Sequence, residues 1–185
     1  MKKLIFICLA IVTVLSSCSD NTTINQNEAG KVITNYLERN PEYKTTSFKF
    51  GELKFNSNKE RDLLNLYKNL AQEGYVDMIL VSQKKQFLSS DSSYVYQVKL
   101  TDKAQEFVLK IENDKANVKA VNYVLSEKPV NFEQVNSKTS KVTVTLKKEN
   151  TPFGPFQKDK NEFSDYTTKT YKLKLDKEEG WKVDN

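Results

Sequence analysis

Lys141-Val142-Thr143-Val144-Thr145-Leu146-Lys147 alternates apolar and polar residues without a break. A period of two marks a strand with one buried face, because successive side chains of extended backbone point to opposite sides. The same alternation precedes this stretch at Val121, Tyr123 and Leu125, and follows it at Tyr171, Leu173 and Leu175 and then at Trp181 and Val183. Polar turns separate the runs, so the chain from Asn117 onward reads as an antiparallel meander. Asp176 to Gly180 supplies the glycine that its last tight reversal wants. Such a sheet needs a cover over its apolar face.

Upstream of the meander the period lengthens. Ala29, Val32, Ile33, Tyr36 and Leu37 recur at three- and four-residue spacing until Asn40-Pro41 stops them, which predicts a helix from Glu28 to Arg39. Leu63, Leu64, Leu66, Tyr67, Leu70 and Ala71 predict a second helix that closes at Glu73-Gly74. Between the two, Phe48, Phe50, Leu53 and Phe55 surround Gly51, which shifts their alternation by one residue and predicts a bulge or bend. Tyr75 to Val81 and Tyr94 to Leu100 read as a hairpin with a long polar tip around Phe87-Leu88. Thr101 is placed to cap a third helix through Ala104, Phe107, Val108 and Ile111, although Phe107 to Ile111 reads equally as strand.

At the N-terminus, Lys2 and Lys3 precede the apolar run Leu4 to Leu15, which ends in small residues. This is the pattern of a secretion signal, and the run is too short to span a bilayer. Its end, Leu15-Ser16-Ser17-Cys18, resembles the bacterial lipoprotein lipobox, in which an aliphatic residue and two small ones precede a lipid-bearing cysteine. The resemblance implies that Cys18 is the lipid attachment site and becomes the mature N-terminus. A thiol sulfur suits that role because it is nucleophilic enough to accept the diacylglyceryl group. Each buried methylene adds roughly 0.8 kcal/mol and stable anchoring takes two chains, so such processing fixes a protein to a membrane without spanning it. The start Cys18-Ser19-Asp20-Asn21 is also similar to the tethers of Bacteroidota surface lipoproteins. The expected location is therefore the bacterial cell envelope, at the outer membrane.

The segments then follow in order: a signal peptide over 1–17, a polar tether over 18–27, an α+β module over 28–112 and a β module over 113–185. Gln72-Glu73-Gly74-Tyr75-Val76, a hairpin, and Val98-Lys99-Leu100-Thr101-Asp102-Lys103-Ala104 together resemble the winged-helix pattern. The fold class expected is accordingly α+β, with a helical winged-helix-like N-terminal part packed with a C-terminal antiparallel β-meander. The usual function of that fold does not follow, because the would-be recognition helix carries Lys59, Glu60, Arg61, Asp62, Lys68 and Glu73 in balance. Strand, Thr151-Pro152-Phe153-Gly154-Pro155-Phe156, and then Gly180-Trp181-Lys182-Val183 is similar to the ends of small envelope α+β domains.

Composition removes most chemistries. The 185 residues hold 29 Lys and Arg, 24 Asp and Glu, and no His. Without Lys2 and Lys3 the formal charge falls from +5 to +3, and only Arg39 and Arg61 carry the planar fork that phosphate and base recognition favours, so nucleic acid is not an expected partner. Without His there is no imidazole base, no Ser-His or Cys-His nucleophile and no imidazole metal site. With Cys8 removed and Cys18 lipidated, no free thiol remains. Five glycines, spread over positions 30, 51, 74, 154 and 180, cannot form a phosphate loop. No cofactor, metal or catalytic residue is therefore assigned. Ser82-Gln83-Lys84-Lys85 has the Ser-x-x-Lys spelling of penicillin-binding enzymes, which need it at a helix start.

What remains is binding. Phe153 and Phe156 flank a proline-stiffened turn and either present two rings to a partner or fold back as a plug on the sheet edge. Trp181 is either core or a platform for a sugar or peptide, and Phe87-Leu88 is a lone apolar pair in a polar loop. The sequence thus describes a non-catalytic, membrane-anchored binding or assembly module for an envelope protein or glycan. A carboxylate-dependent hydrolase of envelope glycans and a structural spacer of an outer-membrane complex are the alternatives. The anchor is tested directly: Cys18→Ala yields soluble or unprocessed protein, and mature protein that still fractionates with membranes would exclude lipidation there.

Overall fold

The computed structural model describes residues 23–56, 60–85, 92–126, 131–158 and 164–184. Most of them lie in strands. Helix α1 spans Gln26–Arg39, and β1 (Glu42–Lys49), β2 (Gly51–Asn56) and helix α2 (Arg61–Gln72) follow it. The hairpin β3 (Val76–Lys85) and β4 (Ser92–Leu100) leads through a 3₁₀ turn at Asp102–Phe107 into β5 (Val108–Glu112) and β6 (Lys115–Leu125). Then come β7 (Asn131–Asn136), β8 (Thr139–Asn150), a short 3₁₀ turn at Gly154–Phe156, β9 (Tyr166–Asp176) and β10 (Gly180–Val183).

Two antiparallel sheets result. The larger runs β1-β6-β8-β9-β10, with β5 alongside β6 and β7 alongside β8; the smaller is β2-β4-β3. The meander expected from the alternating runs is present as β6, β8, β9 and β10. Its sheet also takes in β1, so the pairing of β1 with β6 runs across the boundary drawn between residues 112 and 113. Gly51, at φ +89°, is the bend that its disturbed alternation predicts, and there the chain leaves the larger sheet for the smaller. A side chain at that φ would strain the backbone.

The winged-helix-like N-terminal part is not formed, and the fold is mostly β. Three findings overturn it. Helix α1 does not join α2 but covers the larger sheet, where Ala29 and Ile33 are buried with Val142, Val144, Leu146, Tyr171 and Leu173. Residues 42–56 are two strands. Beyond Thr101 the chain makes one 3₁₀ turn and then pairs as β5 with β6, because Phe107 packs against Tyr75 and Phe153, with ring centroids 5.7 and 5.9 Å apart. The helix, hairpin and Leu-Thr-Asp order that carried the resemblance survives as α2, β3, β4 and the turn, laid on a sheet instead of on a helical bundle. Helix α2 ends as its glycine predicts, with Tyr75 N–H bonded to the Leu70 carbonyl at 2.9 Å.

The start of α1 is set by a capping box that apolar periodicity does not register. Asn25 Oδ1 accepts from Glu28 N–H at 3.0 Å, and Glu28 Oε2 accepts from Asn25 N–H at 3.1 Å. Ile24, read with the tether, is buried in the core beneath α1.

The apolar residues form two cores. One gathers Phe48, Phe55, Tyr67 and Phe153 between the two sheets and α2, and the other lies under α1. The larger sheet curls strongly between them. On β1, Glu42 reaches past β6 and β8 to β9, where its Oε1 accepts from Tyr171 Oη at 2.6 Å and from Lys169 Nζ at 2.5 Å.

Two phenols are tied into these cores. Burial holds Tyr67 well above the ordinary value, and its hydroxyl donates to the Lys49 carbonyl at 2.8 Å. Burial raises Tyr171 too, and the neighbouring Glu42 carboxylate adds to it. The unfolded chain releases both protons near pH 10, about the reference value, while the folded chain keeps them. Stability present below that pH is therefore lost as pH rises beyond it. In an alkaline titration followed by phenolate absorbance, two of the nine tyrosines should ionise only as circular dichroism reports unfolding. Complete ionisation before unfolding would contradict this, and Tyr67→Phe and Tyr171→Phe should each remove one late proton.

Candidate binding groove

The concave face of the larger sheet carries three zones along β1. Glu42 faces the core under α1, Phe48 lies in the other core, and Lys44 sits between them. Opposite Lys44 across the ladder are Val121 on β6 and Asn150 on β8. The register of β1 on β6 shifts at this point, leaving Ala120 as an extra bulged residue. The Ala120 carbonyl receives Thr151 N–H at 3.0 Å.

Thr151 organises the loop that follows. Its Oγ1 donates to the Lys119 carbonyl at 2.6 Å and accepts from Phe153 N–H at 3.2 Å. Gly154 N–H donates to the Thr151 carbonyl at 2.9 Å. A Cβ on Gly154 would lie 3.0 Å from the Ala120 oxygen and 3.1 Å from Asn150 Cβ, so only glycine lets the turn lie this close to the sheet. Thr46 Oγ1 ties down the far end by donating to the Phe156 carbonyl at 3.1 Å.

This loop is the plug of the two readings its rings admitted. Phe153 is 0% exposed, and its centroid lies 5.1 Å from that of Phe48, edge to face. Phe156 is half-buried, 5.1 Å from the rings of both Phe48 and Tyr67. Each such pair contributes about 0.5–1.5 kcal/mol beyond the area it buries.

Above the loop, between α2 and the sheet, is a groove of about 600 Å³. Leu66, Asn69, Leu70 and Glu73 of α2 form one wall, and Pro155 and Phe156 belong to its floor. Lys44, Val121, Tyr123, Lys148 and Asn150 form the sheet wall, with Gln157, Ser164 and Asp165 completing the rim. The lining mixes apolar surface, amides and charges of both signs. Such a lining can orient a polar ligand through several hydrogen bonds while burying part of it.

Of the residues singled out by sequence, the structure brings only Phe156 to this groove, with Phe153 supporting it from beneath. Trp181 lies in the other core beside Val183 and Leu173, and its buried Nε1 makes no hydrogen bond. Phe87, Leu88 and Cys18 fall outside the described residues. Asp165, which sequence did not single out, lines the groove. Ser82-Gln83-Lys84-Lys85 lies within strand β3 and not at a helix start. Lys44, Asn69, Lys148 and Asn150 carry no sequence signal, since each reads locally as ordinary solvent-facing surface, and Tyr123 reads only as part of the alternating apolar face of β6.

Among the described residues two carboxylates are displaced from their ordinary range, and both downward. The Glu178 N–H and Lys182 beside Asp176 bring it to about 2, and Lys172 lowers Asp184. Both belong to the β9–β10 end, and a general acid needs the opposite shift. Among the described residues no group of three His, Cys, Asp or Glu converges as a metal site. No protein-family model, curated protein or solved structure matches the chain.

The plug has a measurable consequence. Phe153→Ala should cost about 3–5 kcal/mol of folding stability, the range for truncating a buried Phe. Denaturant unfolding checks it, and a loss below about 1 kcal/mol would show that the ring is not part of the core.

Proposed function

We propose that this chain is a non-catalytic binding module, anchored through Cys18 to the membrane of a bacterial envelope, with its ligand seat in the groove between α2 and the larger sheet. The observation that carries the reading is the groove itself. Its volume of about 600 Å³ falls within the roughly 300–1,000 Å³ of small-ligand sites. Rigid elements build it from several sides: a helix, three paired strands, and a loop held by Thr151. Envelope location rests on Leu15-Ser16-Ser17-Cys18. An envelope peptide or glycan suits the lining, because Asn69, Asn150 and Gln157 offer amides to hydroxyl and peptide groups while Leu66, Pro155 and Phe156 offer apolar surface.

A second reading has one observation in its favour. Glu73 and Asp165 both line the groove, which is where a carboxylate-dependent hydrolase would hold its pair.

Both readings meet one experiment. Solubilised peptidoglycan fragments and envelope oligosaccharides are titrated into labelled protein and followed by NMR, with mass spectrometry of the ligand afterwards. Binding should perturb Tyr123, Asn150 and Gln157 and leave the ligand intact. Asn69→Trp, at an exposed α2 position on the rim, should weaken binding at least about tenfold, or about 1.4 kcal/mol, without changing the melting temperature. Perturbations confined to other surfaces would overturn the groove as the seat. Cleaved ligand, with cleavage lost in Glu73→Gln and Asp165→Asn, would make the protein a hydrolase.

A further inference from the structure

The smaller sheet ends on β3, and among the described residues no strand pairs with its outer edge. That edge carries three consecutive exposed aliphatic residues, Ile79, Leu80 and Val81, with relative exposures of 60%, 48% and 56%. Edge strands offer unpaired backbone groups, and proteins ordinarily blunt them with charge along their length. Here the middle of the strand is apolar and the charges stand toward its ends with opposite sign, Asp77 early and Lys84 late.

A strand that is acidic early and basic late complements a second copy of itself only when the two run antiparallel. A parallel copy would set Asp77 against Asp77 and Lys84 against Lys84. The register can be narrowed further. Pairing with β4 places Asp77, Ile79, Ser82 and Lys84 opposite Lys99, Gln97, Val95 and Ser93 on the outer face, and Met78, Leu80 and Gln83 toward α2, with Val81 bulged between them. Residues directly opposite each other in an antiparallel ladder share a face. With the two-fold axis between Leu80 and Val81, Asp77 meets Lys84 of the partner subunit, Ile79 meets Ser82 of the partner subunit, and Met78 meets Gln83 of the partner subunit. Every such pair joins like faces. Asp77 then lies between the partner's Lys84 and Lys99 of its own chain. Moving the axis by one residue, to lie between Val81 and Ser82, also joins like faces, but it sets Ile79 against the partner's Lys84 and leaves Asp77 without that cation.

We propose that the outer edge of β3 is a homodimer interface, in which two copies pair antiparallel about Leu80 and Val81 and extend the three-stranded sheet to six strands. The interface is isologous, and the exposed aliphatic run of each copy covers that of the other.

Charge swapping tests both the interface and its register. Native mass spectrometry of the purified full chain, across a dilution series, should show a monomer–dimer equilibrium. Ile79→Lys, at an outward-facing position, should give monomer with an unchanged circular dichroism spectrum. Asp77→Lys and Lys84→Asp should each weaken the dimer about tenfold, since each removes two symmetric exposed pairs. The double variant swaps the partners and should restore the affinity to within about threefold. A monomer at every concentration, or a dimer indifferent to Ile79→Lys, would overturn the interface. A double variant no tighter than the single ones would overturn the register and with it the proposal.

Discussion

The packing of Phe48 against Phe153 joins what the chain order separates. Phe48 belongs to β1, the first strand of the larger sheet, and Phe153 to the loop that follows β8. Their rings meet edge to face at 5.1 Å, and around them stand Tyr67 of α2, Phe156 of the same loop, and Tyr75 and Phe107 from either side of the β3–β4 hairpin. With Ala116 and Val118 of β6, that contact forms the apolar surface on which the smaller sheet and α2 close. The chain has no free thiol pair to staple the assembly if Cys18 is lipidated, so shape-matched rings carry the task that a disulfide carries in many exported domains. The loop is accordingly held by backbone bonds from Thr151 and Thr46 and by a glycine whose missing side chain permits the approach.

That same constraint creates the groove. The larger sheet has one continuous concave face, covered at one end by α1 and at the other by α2 with the aromatic loop. The two covers meet near the row of Lys44, Val121 and Asn150, where Gly154 of the loop lies close against Asn150 and the bulge at Ala120 bends the sheet. Polar and charged residues stand in that row because it is the seam between two cores. A ligand there would contact two covers, several strands and the loop, so its binding would depend on the global fold more than on any local segment.

Elements were legible where a local period exists. Val142, Val144 and Leu146 announce β8 because one face is buried along its whole length, and the leucines of α2 announce that helix for the same reason. Strand β1 is nearly silent, since Tyr43 is exposed while Glu42, Lys44 and Thr46 face inward, so the polar alternation hides which side is covered. Strand β7 is a short edge whose only apolar residues are Phe132 and Val135, and β5 has apolar residues at Val108, Leu109 and Ile111 that suit a helix as well as a strand. The winged-helix likeness failed on a different point. A helix followed by a hairpin is specified by residues close in sequence, but the partner of α1 is decided by which apolar surface lies nearest in the folded chain. Periodicity identifies the buried face of a helix and is silent about what buries it. The groove was illegible for the same reason, since Lys44, Asn69 and Asn150 become neighbours only through register and sheet curl, while Phe156 was visible because aromatic residues in a turn stand out locally.

The absence of histidine bears on how the groove works. Recognition there would use amides, lysines, carboxylates and the Tyr123 hydroxyl. The chain has no imidazole to switch such a seat near neutrality. Near a membrane surface, concentration is set by tethering. Under the function proposed above, lipid at Cys18 would confine the protein to a layer near the membrane, where weak contacts would suffice for high occupancy. The lining of the groove, in which Leu66, Val121 and Phe156 stand among amides and charges, suits that regime.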